Sequence, residues 1–100
     1  MSAPPFRLVF TDEADSILRE LGQAAHRVKL KKAQKGLRLL RDVGPRHPGF
    51  NSYRYESMVG PNREDVWESY LENQTPSAWR VFWIRSGPDT LTILTLGPHP

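Results

Sequence analysis

The sequence predicts an α+β fold of order β-α-α-β-β-β, in which a two-helix hairpin packs on one face of an antiparallel sheet. Two patterns predict it. Leu30, Ala33, Leu37 and Leu40 recur at helical spacing in the first half, and from Tyr53 onward apolar residues alternate with period two between turn-rich breaks. The 100 residues read as one domain, 1–100, with room for one modest core.

Phe6 to Phe10 reads as the first strand. Thr11 is placed as an N-cap, with Asp12, Glu13 and Asp15 in the first turn, where the helix dipole favours acids. That helix runs from Asp12 to about Leu21, buries Ala14, Ile17, Leu18 and Leu21, and stops at Gly22. A second helix runs from about Ala24 to Val43, with its leucine stripe inward and Arg27, Lys31, Lys35 and Arg38 on a different face. Gly44-Pro45 ends it, and the short link between the helices implies an antiparallel hairpin. Arg46 to Asn51 is a loop by composition. Tyr53 to Ser57 is either a short extra strand or ordered loop. Asp65 to Glu72, Trp79 to Arg85 and Thr90 to Leu96 are strands, set off by turns at Gly60-Pro61-Asn62, Asn73 to Ser77 and Ser86 to Asp89. Alternation puts Trp79, Val81 and Trp83 on one face of their strand and Arg80, Phe82 and Ile84 on the other.

Composition narrows the function classes. Cysteine is absent, which excludes disulfides and thiolate metal sites. No apolar run reaches membrane-spanning length and the N-terminus lacks a secretory pattern, so a cytoplasmic protein without membrane association is expected. The net charge is +3, but it is unevenly spread. Eight cations lie between His26 and Arg46 against the single acid Asp42, so the rest of the chain is net negative. Such a block is either a solvated helix face or the footprint of an anionic partner, such as nucleic acid or an acidic protein.

No metal or cofactor is expected, because His26, His47 and His99 lack paired ligand spacing and no glycine-rich phosphate loop is present. An enzyme of this composition works by general acid–base catalysis and electrostatic stabilisation, a toolkit that suits metal-free RNA cleavage. Two residues are candidates on their own chemistry. Arg80, in mid-strand, is either a phosphate clamp or the partner of Glu68 or Glu72 across the sheet. His99 follows the apolar run Thr90 to Leu96, and is either an imidazole held by an anchored strand or a solvated residue of a frayed end.

The element order, the basic second helix and the segments Glu56-Ser57-Met58, Trp67, Trp79-Arg80-Val81-Phe82-Trp83 and Leu96-Gly97-Pro98-His99 together resemble the RelE/ParE toxin superfamily of toxin–antitoxin modules, nearest its RelE/YoeB-like branch. The resemblance spans nearly the whole chain. It implies a RelE-like fold and a ribosome-associated, metal-independent endoribonuclease that cleaves mRNA. Glu56 would be the general base, Arg80 the phosphate clamp and His99 the general acid, with the roles of Glu56 and His99 exchangeable. Arg27, Lys31, Lys32, Lys35, Arg38, Arg41 and Arg46 would hold RNA. A cognate antitoxin, the ribosome and mRNA are the implied partners. The same resemblance admits a non-catalytic ParE-type inhibitor of DNA gyrase, or a fold relative without toxicity that acts as a binding module. The chain departs from the family's cationic pattern at Val59, where many relatives carry lysine, and at Glu68, where arginines often follow the aromatic.

Overall fold

The computed structural model describes residues 4–23, 26–72 and 77–98. Its elements are β1 (Arg7–Phe10), α1 (Asp12–Leu21), α2 (Arg27–Asp42), β2 (Tyr53–Val59), β3 (Asp65–Tyr70), β4 (Trp79–Gly87) and β5 (Thr90–Pro98), with a 3-10 turn at Pro48–Phe50 before β2. The strands form one sheet in the order β1-β5-β4-β3-β2. The helices carry the chain from one edge of the sheet to the other. The meander β2 to β5 then walks back until β5 lies beside β1, and this pair alone among the described strand pairs is parallel.

The expected class holds, and the sheet gains a strand. The Tyr53 segment is paired, and it extends to Val59. Its alternation is hidden because the β2–β3 register shifts between Arg54 and Val59. Tyr55 and Met58, three residues apart, therefore pack on the same cluster of Val66, Phe82 and Ile84. The other strands differ at their ends: β3 stops at Tyr70, while β4 and β5 run on to Gly87 and Pro98. The expected helix start at Ala24 and the Asn73-Gln74-Thr75-Pro76 turn lie outside the described residues.

The main core forms where the helices meet the sheet. Ala14 and Leu21 of α1 and Ala33, Leu37 and Leu40 of α2 bury against Val81, Trp83, Leu91, Ile93 and Leu96. Thr11 caps α1, accepting from the Ala14 N–H at 3.1 Å, while its hydroxyl donates to the Leu94 carbonyl at 2.6 Å. One side chain thus starts the helix and ties it to β5. Gly36 lies on the inner face of α2, where an added Cβ would stand 2.5 Å from Leu71 Cδ2, so the glycine lets helix and sheet approach closely. A polar chain fastens the loop after α2: the Trp83 indole donates to Ser69 Oγ at 3.0 Å, Ser69 shares a hydrogen bond with Ser52 at 2.6 Å, and Ser52 donates to the Pro45 carbonyl at 2.8 Å.

Glu72, just past β3, latches α2 to the sheet. Its carboxylate accepts from Lys29 Nζ and the Trp79 N–H, each at 2.8 Å, with Lys32 Nζ at 3.6 Å. Burial pushes its pKa up, but the Lys29 and Trp79 hydrogen bonds and the charges of Lys29 and Lys32 outweigh burial and leave it below the ordinary value. A depressed carboxylate pKa stabilises the fold above the unfolded-state pKa, and that stabilisation disappears as pH falls through the folded-state value. Glu72→Gln should therefore lower stability at pH 7 by about 1–2 kcal/mol. In urea titrations the gap to the parent should narrow as the pH falls through the lowered folded-state value. A gap that persists unchanged in acid would contradict the latch.

Candidate functional site

The face of the sheet opposite the helices carries Arg80. The alternation expected for β4 is met: Trp79, Val81 and Trp83 join the helix-side core, and Phe82 and Ile84 join the second cluster. Arg80 shares this second face and is only 8 % exposed. Its partner is Glu68 on β3, which is 0 % exposed. Arg80 Nε stands 3.2 Å from Glu68 Oε1. The arginine thus has the cross-sheet ion pair that the sequence left as one of two readings, and Glu72, the other acid considered, is engaged by α2.

Two tyrosines complete the cluster. Tyr53 Oη donates to Glu68 Oε1 at 2.7 Å, and Arg80 Nη2 donates to Tyr70 Oη at 3.2 Å, with the guanidinium carbon 4.6 Å from the Tyr70 ring centre. Edge-on packing of the Tyr53 and Tyr70 rings closes the group. The Tyr53 pKa is pushed up to about 12, first by burial and then by its hydrogen bond to Glu68 and the charge of that carboxylate. A phenol so placed holds its proton at neutral pH and acts as a donor. Arg80 Nη1 is buried and makes no hydrogen bond to a described residue. On the β5 side Arg80 faces Gly97, where an added Cβ would meet nothing within 4 Å. The guanidinium is therefore flanked by Tyr70 and Glu68, with Nε and Nη1 buried.

The remaining expected catalytic residues stand apart from this cluster. Glu56 is exposed in the irregular stretch of β2 and makes no hydrogen bond or ion pair among the described residues. It lies two strands from β4, about 10 Å across the sheet by strand spacing. His99 lies outside the described residues; Pro98, which precedes it, pairs with Trp79.

The candidate RNA-binding residues are exposed, as expected from their spacing. Arg27, Lys31, Lys35 and Arg38 occupy the side of α2 opposite Ala33, Gly36, Leu37 and Leu40. Arg27, Lys31 and Lys35 have no salt bridge among the described residues, while the charge of Arg38 helps lower the Asp42 pKa. Lys32 and Arg41 differ, being drawn to Glu72 at 3.6 Å and Asp42 at 2.8 Å. Arg46 lines a groove of about 1100 Å³ on the helix-bearing face, together with Phe6, His47, Trp67, Trp83 and Arg85. Glu64 and Asp65 on its wall balance its two arginines, and Arg80 is not part of it.

Sequence reasoning missed Tyr53, Tyr70 and Gly97. Tyr53 and Tyr70 lie on strands whose pairing sets them beside Glu68 and Arg80, a relation that only the register supplies. No family model and no curated protein matches the chain. Among solved structures the chain is similar to the YoeB dimer from Staphylococcus aureus, at 10 % identity and a TM-score of 0.68, over 96 % of this chain and 99 % of that one. It is also similar to a chain of the intact E. coli RelBE toxin–antitoxin complex, at 17 % identity and a TM-score of 0.46, over 95 % and 98 % of the two chains. The first likeness shows that the chain has a RelE/YoeB-like toxin fold.

Two outcomes follow from the cluster. In an alkaline titration followed by tyrosinate absorbance, one of the three tyrosines should ionise near pH 12, and Tyr53→Phe should remove that step. Arg80→Met should cost about 3–5 kcal/mol in urea unfolding, because it strands a buried carboxylate, and Glu68→Gln in the same chain should restore most of the stability. Additive destabilisation in the double variant would contradict the pairing.

Proposed function

We propose that this protein is the toxin of a toxin–antitoxin pair and cleaves ribosome-bound mRNA by metal-free acid–base chemistry. The observation that carries the reading is the buried Arg80 guanidinium, with Nη1 unbonded, on a strand position paired with Gly97 of β5. Strand β5 leads from Gly97 through Pro98 to His99, one residue further along the chain. In this reading a carboxylate, Glu56, takes the proton of a ribose 2′-hydroxyl. The 2′-oxygen bonds to phosphorus, Arg80 steadies the charge of the crowded phosphorane, and the 5′-oxygen leaves with a proton from His99. The exposed cations Arg27, Lys31, Lys35 and Arg38 of α2 serve as the RNA-facing ridge, with Lys32, Arg41 and Arg46 at its margins. An antitoxin covers the open face until it is released, and the site of action is the cytoplasm.

One observation favours a second reading. The Glu68–Arg80 pair neutralises the clamp, and Glu56 does not touch it. A binding module without catalysis, or a gyrase inhibitor, needs neither group free.

Induction of the protein alone separates the readings. Growth should stop with mRNA cut on ribosomes. His99→Ala and Gly97→Leu should each relieve the arrest while the unfolding midpoint stays unchanged; at Gly97, paired with Arg80, an added Cβ meets nothing within 4 Å. Arrest with intact mRNA and reduced DNA supercoiling would support the gyrase reading, and unimpaired growth the binding module. Replacing Arg27, Lys31, Lys35 and Arg38 with glutamine should weaken ribosome binding and flatten its salt dependence, by about one unit of log–log slope for each phosphate no longer neutralised.

A further inference from the structure

A strand at the edge of a sheet bonds its neighbour through alternate residues and turns the residues between them outward. In β1 the inward set is fixed by two bonds. The Arg7 N–H donates to the Asp89 carbonyl at 2.8 Å, and the Thr11 N–H, just past the strand, donates to the Ile93 carbonyl at 3.1 Å. Leu8 and Phe10 therefore present their N–H and C=O groups to the outer side, where β1 has no strand partner among the described residues. Phe6 also turns outward, but the Arg41 carbonyl at the end of α2 takes its N–H at 2.7 Å. The first helix leaves this edge uncovered, since α1 packs chiefly over β5. Such an edge templates pairing with another chain unless it is blunted. The opposite edge, β2, is blunted by its register shift and by the exposed charges of Arg54 and Glu56. β1 pairs with β5 without a shift and leaves Val9 40 % and Phe10 37 % exposed.

We propose that the outer side of β1 is an interface between two copies of this chain, paired antiparallel about a two-fold axis at Val9. In this register Leu8 of each copy lies opposite Phe10 of the other, and every outward N–H and C=O of these two residues is bonded. Sliding by two residues sets Leu8 or Phe10 against itself. The other of the two then faces Phe6, whose N–H α2 holds, or Asp12, which is already helical. Sliding by one residue turns every side chain against the wrong face. Apolar groups meet on both faces: Leu8, which packs on the helix-side core, meets Phe10, and Val9 meets Val9. Charge selects the direction. Arg7 opens the strand and Asp12 and Glu13 follow it, all exposed and without a salt bridge among the described residues. Antiparallel pairing brings each Arg7 toward the acidic turn of the other copy, whereas parallel pairing would set like beside like. The contact is small, so the dissociation constant should fall between about 10 μM and 1 mM. The inference does not depend on the nuclease reading.

The test is sedimentation equilibrium of the purified full chain up to about 1 mM, with amide hydrogen exchange followed by NMR at the two ends of the range. The parent should approach a dimer, and dimerisation should slow exchange at Leu8 and Phe10 while Arg7 and Thr11, bonded within the sheet, stay as they were. Val9→Lys sets two ammonium groups at the axis and should weaken association at least about tenfold, with the unfolding temperature in dilute solution unchanged. Arg7→Glu should weaken it as well, by a factor that shrinks as salt is added. A parent that stays monomeric throughout overturns the proposal, as does a dimer that Val9→Lys leaves intact or one that protects neither Leu8 nor Phe10. A monomeric parent whose Leu8 and Phe10 amides become protected on addition of a different protein also overturns it, and gives the edge to a foreign strand.

Discussion

The buried ion pair between Arg80 and Glu68 is the constraint around which the open face of the sheet is built. Two charges removed from water in mid-sheet are tolerable only together, because either one alone carries a large desolvation cost. Their positions on β4 and β3 are fixed by the register that sets Glu68 against Phe82 and Tyr70 against Arg80. Tyr53 brings β2 into the same group through its hydroxyl. The pair therefore ties three strands together on the face that no helix covers. Beside it, Val66, Phe82 and Ile84 with Tyr55, Met58 and Leu94 form a small apolar cluster that shields the sheet where the helices do not.

The disposition of acids explains the charge asymmetry of the molecule. Glu68 is engaged inside by Arg80, and Glu72 is engaged at the helix–sheet boundary by Lys29 and Lys32. Arg27, Lys31 and Lys35 stand without a salt bridge among the described residues on the outer side of α2, beside Arg38, whose charge reaches Asp42. A modest net charge of +3 thus becomes a concentrated basic ridge. The fold presents two distinct cationic features, a solvated ridge suited to nonspecific backbone contact and one buried guanidinium of fixed direction.

Much of this architecture is legible in the residues alone, and the misses have physical causes. The bounds of α1 follow from Thr11 and Gly22, because capping is local chemistry. The two faces of β4 follow from strict alternation of Trp79 to Ile84. The span of β2 was obscure because its bulge breaks that alternation, and Gly36 was silent because its importance lies in Leu71, distant in sequence. The site was half legible. Arg80 stands out as a cation in an apolar strand, and its choice between Glu68 and Glu72 turned on register. Tyr53 and Gly97 gave no signal, since one acts through a cross-strand partner and the other through the absence of a side chain. Glu56 was placed by resemblance to a motif, and nothing in the pairing brings it to Arg80.

The most direct test of the account is a structure of the His99→Ala variant on a ribosome loaded with mRNA. The account predicts the open face turned to the messenger, a backbone phosphate within hydrogen-bond reach of Arg80 Nη1, and the α2 ridge against ribosomal RNA. A complex in which the open face is turned away from the messenger, with no phosphate near Arg80, would contradict it.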